Sequence, residues 1–233
     1  MADIATIAEI GTATGTLFLG AATFASVRSA NRAARVAERS LLLGLRPVLV
    51  TARFEEPETK VLFGDGRKFK VAGGTALVEL IDGIAYLAIP LRNVGTGLAV
   101  LQRYDVIVGD FDQTSPYRPP KPGVLDRRER HHGPIESFRD QQRDIYIAPG
   151  DTEYWHAALR DPGDNLLADV QRALANGPES ISIDLLYGDH EGGQHAVSRF
   201  VMLPTDDGRW LANVVFHWTI ESPDPRDLLA GSG

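Results

Sequence analysis

The sequence predicts a mainly β protein, an antiparallel β-sandwich of the immunoglobulin-like kind with one inserted helix, preceded by a long amino-terminal helix. Three observations lead there. Beyond Pro47 the apolar residues recur at every second position through about ten short segments, separated by turns rich in Gly, Asp and Pro. Within that body a single stretch, 164–176, has helical spacing, and no parallel βαβ series or internal repeat is visible. The first 46 residues differ: they carry five Arg against three acids, whereas the whole chain of 233 residues has a net charge of -7.

Taken in order, residues 1–9 form a flank and residues 10–27 an uncharged stretch that would rise about 27 Å as a helix, close to the ~30 Å of a hydrocarbon core. This is the expected transmembrane helix, although Thr12, Thr14, Thr16, Thr23 and Ser26 interrupt Leu17, Phe18, Leu19 and Phe24. A soluble helix packed on a partner is the competing reading. A cleaved signal peptide fits poorly, because Asp3 and Glu9 precede the stretch and the basic residues follow it. Gly11 and Gly15 make a small-xxx-small pair that would let two such helices approach, giving a homo-oligomer. Residues 28–45 continue as a basic juxtamembrane helix. Arg28, Arg32, Arg35 and Arg39 follow at spacings of four, three and four, stack on one face, and are the expected contacts to anionic lipid. With the arginines behind the span and none before it, the amino terminus is expected outside and the body in the cytoplasm.

Arg46-Pro47 ends the helix and opens a β domain over 46–224, followed by a flexible tail at 225–233. Strands are expected at Val48 to Phe54, Thr59 to Phe63, Lys68 to Val71, Ala76 to Ile81, Ile84 to Val94 and Leu98 to Val108, with hairpin turns at Asp65-Gly66 and Asp82-Gly83. Ile181, Ile183 and Leu185 alternate with polar residues in a later strand. It is followed by one ending near Leu203 and by the strand from Arg209 to Glu221. In the last of these, alternation places Trp210, Ala212, Val214, Phe216, Trp218 and Ile220 on one core face and His217 opposite. Residues 109–142 form one long loop with five Pro; its Pro116 to Pro122 run resembles polyproline II, and Arg118 to Arg143 carries seven basic side chains against four acids.

Chemistry is sparse. Without Cys there are no disulfides, thiolate nucleophiles or iron–sulfur clusters, and the acidic balance argues against nucleic acid as a partner. Nucleophile-elbow, P-loop and dinucleotide-loop motifs are missing. His190, Glu191 and His195 in the 189–195 loop are the candidate ligands for a divalent metal, but a Gly-rich hairpin presents them less rigidly than a helix would. Asp110 and Asp112 lack the rest of a calcium loop. No catalytic residue and no cofactor is assigned. Only four of the 24 basic residues are Lys, a bias of GC-rich bacterial genomes.

Arg46-Pro47-Val48-Leu49-Val50, Leu91-Arg92-Asn93-Val94-Gly95-Thr96-Gly97, and Tyr187-Gly188-Asp189 with Glu191-Gly192 resemble a loose set of uncharacterised bacterial proteins with one membrane helix and a β-sandwich. The resemblance implies architecture and carries no activity, cofactor or site residue. The expectation is a non-catalytic, single-pass protein of the bacterial cell membrane whose partners are membrane lipids and a protein or small ligand. An enzyme with a metal in the 189–195 loop, or an extracytoplasmic carbohydrate-binding or envelope module, is the alternative.

Overall fold

The computed structural model describes residues 19–37, 44–109, 132–175, 179–190 and 194–220. The chain divides into two units, one ending at Gly44 and one beginning at Leu45. In the first, residues 19–37 are helical (α1) and exposed along their length, and the Thr23 hydroxyl donates back to the Leu19 carbonyl at 2.8 Å. Arg28, Arg32 and Arg35 lie on this helix. Gly11, Gly15 and Arg39, the flank 1–9, the first half of the expected span and the tail 225–233 lie outside the described residues. Among the described residues no helix is long and apolar enough to cross a membrane.

The body is mainly β and antiparallel, as expected. Its strands are β1 (Leu49–Thr51), β2 (Thr59–Leu62), β3 (Lys68–Val71), β4 (Thr75–Ile81), β5 (Ile84–Asn93), β6 (Ala99–Val108), β7 (Arg139–Ile147), β8 (Thr152–Leu159), β9 (Ile181–Gly188), β10 (His195–Pro204) and β11 (Trp210–Ile220). Nine of them join in one curled sheet ordered β1-β5-β4-β11-β10-β9-β6-β7, with β8 on the other edge of β5. The curl is made at β4: Thr75 and Ala76 pair with β11, whereas Leu77 to Ile81 pair with β5. One apolar core then collects side chains from both halves, among them Leu87, Ile89 and Trp155 from one and Leu101, Ile183, Phe200 and Trp210 from the other. The β2–β3 hairpin forms a separate sheet whose Val61, Phe63 and Val71 pack with Tyr86 and Ala88 in a second cluster.

The inserted helix α2 (Asn165–Ala175) is one residue shorter at its start than expected because Asp164 caps it, accepting from the Leu166 amide at 3.0 Å. It buries Leu167, Val170 and Ala173 and packs on β5 and β6. The expected loop 109–142 is shorter than the sequence implied, since Arg139 to Gln142 already belong to β7 and Ile135–Ser137 form a 3-10 turn. Residues 110–131, including Asp110 and Asp112, lie outside the described residues.

Strand β11 departs from strict alternation. Phe200 pairs with Val214 while Arg199 pairs with Phe216, so Val215 is an extra residue, a β-bulge. The bulge exchanges faces. Trp210, Ala212 and Val214 face the main core; beyond Val215 it is His217, paired with Ser198, that continues that face. Trp218 and Ile220 instead join Phe138, Leu186 and Val197 on the opposite side. The expectation that Trp218 shares a face with Trp210 is therefore corrected, because one inserted residue reverses every side chain after it.

Candidate functional site

The first two motifs quoted above, and Tyr187 of the third, meet in space at the start of the body; Glu191 and Gly192 lie outside the described residues. Asn93, at the end of β5 and fully buried, is their hub. Its Nδ2 donates to the carbonyls of Gly97 (2.7 Å) and Ile147 (3.0 Å), and its Oδ1 accepts from the amides of Val48 (3.2 Å) and Gly95 (3.0 Å). All four hydrogen-bonding positions of the amide are used. The Val94 and Thr96 amides donate to the carbonyls of Val48 and Arg46 at 2.8 and 3.1 Å, so Arg46 to Val48 is bound along its backbone. Gly95 and Gly97 are required by this close approach: a Cβ on Gly97 would stand 1.7 Å from the Leu45 carbonyl oxygen, and one on Gly95 2.3 Å from that of Arg46.

From this seam a hydrogen-bond chain runs across β9, β10 and β11. The Leu49 amide donates to the Tyr187 hydroxyl (3.1 Å), which lies 3.0 Å from Ser198 Oγ, itself 2.9 Å from His217 Nδ1. If Nδ1 carried a proton, one hydroxyl proton of the chain would lack an acceptor. With Nδ1 accepting from Ser198, every proton has a place, so the neutral imidazole carries its hydrogen on Nε2. Enclosure of the Nδ1 side of an otherwise exposed ring, and secondarily the Arg46 cation, hold the His217 pKa below the usual histidine value. Ser198 beside a histidine has the composition of an activated nucleophile. Ser198, however, is fully buried in mid-strand, which makes its hydroxyl a relay rather than a group a substrate can reach.

A second locus is an open cleft of about 980 Å³ between the β1–β2 connection and the start of β8, lined among others by Arg53, Lys60, Glu153 and Tyr154. Its floor is prearranged. Arg92 Nη1 donates to Glu56 Oε1 at 3.3 Å, and the Thr152 hydroxyl donates to the other oxygen of the same carboxylate. Arg92 and Glu56 are 29% and 18% exposed, sheltered enough to be held in place yet open to a ligand. Arg53, Lys60 and Arg92 face Glu55, Glu56, Glu58 and Glu153, so the charges nearly balance. Behind Tyr154 lies His156, whose ring packs edge-on to Phe63 at 5.0 Å and whose pKa burial lowers to about 4, with help from Arg143.

The outer face of β6, β9 and β10 holds a feature that the sequence concealed. Asp184, expected on a wet face, is fully buried and takes a bidentate pair from Arg199 at 2.7 and 2.8 Å. Residues of the third apolar cluster, Phe138 and Trp218, cover that face, and Arg199 lies 5.5 Å from the Trp218 ring centroid. Asp105, paired in register with Asp184, has its pKa pushed up by burial and by the Asp184 charge.

Of the expected metal ligands, His190 is exposed, His195 is half-buried opposite Gly188 in the β9–β10 ladder, and Glu191 lies outside the described residues. Among the described residues no group of three His, Asp or Glu side chains is placed to hold a metal ion. Neither Asn93 nor Glu56, Arg92 and Thr152 was singled out as a site by the sequence. The Arg92-Asn93 dipeptide was the available signal, since a polar pair interrupts an otherwise apolar strand. No protein-family model, no curated protein and no solved structure matches the chain.

Proposed function

We propose that this is a non-catalytic, membrane-anchored binding protein whose β body, a sandwich-like pair of sheet halves closed on one core, takes a small polar ligand in the Glu56–Arg92–Thr152 cleft. The observation that carries the reading is the floor of that cleft, where a carboxylate is fixed by two donors while the guanidinium beside it keeps further N–H groups to offer. The cleft's size falls at the upper end of the ~300–1,000 Å³ usual for ligand sites. Its nearly balanced charges suit a neutral or zwitterionic ligand better than a polyanion. Anchoring is supported by the uncharged stretch 10–27 followed by Arg28, Arg32, Arg35 and Arg39.

The test is a thermal-shift screen of the detergent-solubilised full chain against amino acids, dipeptides and simple sugars. A ligand of this site raises the melting temperature of the wild type in proportion to its concentration and fails to do so in Arg92→Gln. Hits that stabilise both proteins equally, or no hit in any class, would count against the cleft as the binding site.

A further inference from the structure

Arg46 is set apart from the other partly sheltered arginines of the body. Arg92, Arg139 and Arg199 are paired with Glu56, Asp164 and Asp184, at 3.3, 2.5 and 2.7 Å. Arg46 has no carboxylate among the described residues. It donates from Nη2 to the Thr219 hydroxyl, and its solvent-shielded Nε has no hydrogen-bond partner among the described residues. An unpaired guanidinium N–H removed from water is costly, and an uncompensated charge more so.

The groups around it are donors too. Because Nδ1 of His217 accepts from Ser198, the imidazole's remaining hydrogen sits on Nε2, on an exposed side chain. Thr219, also exposed, accepts from Arg46 and so keeps its own O–H to give. A cation, an imidazole N–H and a hydroxyl thus gather on one face of β11 with no carboxylate beside them among the described residues.

We propose that Arg46, His217 and Thr219 form a binding site for a phosphate-class oxyanion. The anion supplies the missing counter-charge. Its oxygens accept from the terminal guanidinium N–H groups, from His217 Nε2–H and from the Thr219 hydroxyl, charge-assisted bonds of the stronger kind. The same chemistry is offered by a lipid phosphodiester and by free phosphate. The site uses no residue of the Glu56 cleft and stands or falls separately from it.

The experiment follows the His217 ring resonances of the full chain in a neutral detergent, at constant ionic strength, as inorganic phosphate or a short-chain phosphatidylglycerol is added. A bound anion shifts these resonances saturably and raises the His217 pKa, since a nearby negative charge favours imidazolium. Response to both probes means that a free oxyanion suffices; response to the lipid alone means that the headgroup is recognised; either supports the site. Arg46→Gln should weaken binding about tenfold or more, the loss of one charged contact, while Arg46→Lys, which keeps the charge and controls for folding, should lose less. No saturable shift with either probe, or an Arg46→Gln protein that is folded and titrates as the wild type does, overturns the proposal.

Discussion

Replacing Asn93 probes the seam most sharply, because one side chain there satisfies four backbone groups. In Asn93→Ala the Val48 and Gly95 amides and the Gly97 and Ile147 carbonyls lose their partners at once. At about 1 kcal/mol net for each hydrogen bond, the loss is about 4 kcal/mol, with a larger cost where a group stays buried and unmet. Against a usual stability of about 5–15 kcal/mol this is a large fraction. Asn93→Asp separates hydrogen bonding from size. Its carboxylate still accepts from the two amides but faces the two carbonyl oxygens, which disfavours the charged form and raises the folded-state pKa above the ~3.9 of an unfolded Asp. Such a group is least harmful when protonated, so Asn93→Asp should lose stability relative to wild type as pH rises from about 4 toward its folded pKa. Urea melts of wild type and both variants at acidic and neutral pH measure this. A loss below about 1 kcal/mol for Asn93→Ala, within the range of ordinary surface changes, would refute the hub role.

Other expectations follow from the faces and the buried groups. Trp210→Ala, in the main core, should cost about 3–5 kcal/mol, and Trp218→Ala distinctly less, because Trp218 is only partly buried in the smaller outer cluster; equal losses in urea would contradict the bulge at Val215. His156, with its pKa lowered to about 4, is neutral when folded, whereas the unfolded chain binds the proton near pH 6.5. Stability should therefore fall between about pH 6.5 and 4, by an amount on the order of 2 kcal/mol after allowance for solvent screening, and His156→Gln should flatten that part of the curve. For topology, a reporter fused after Gly233 should work only as a cytosolic enzyme; activity of an exported-only reporter there would reverse the assigned orientation.

The readable parts of the fold were those set by local pattern. Period-two segments with Asp-Gly turns gave most strands, and helical spacing over 164–176 gave α2 to within a residue at its start. Non-local contacts were not readable. Nothing marks Val215 as a bulge, since neither Gly nor Pro stands there, yet it moves Trp218 and His217 to faces opposite those that alternation assigns. Asp184 looked wet because its neighbours in sequence alternate properly; it is dry because it lies between strands under its bidentate partner Arg199, beside which the Trp218 ring, remote in sequence, packs. Strand β7 was missed since Arg139-Asp140-Gln141-Gln142 has no apolar member. The cleft was missed for the same reason of distance: Glu56 meets Arg92 and Thr152 across 36 and 96 positions of chain. Each of these side chains alone is an ordinary surface residue.

Binding at the cleft is best examined by backbone amide NMR of the full chain in detergent, titrated with the strongest stabiliser from the amino acid, dipeptide and sugar classes. The account predicts saturable shifts centred on Glu56, Arg92, Thr152 and Tyr154, lost in Arg92→Gln while the amides around Asn93 stay in place. Shifts that saturate elsewhere on the body, or that persist unchanged in Arg92→Gln, would contradict it.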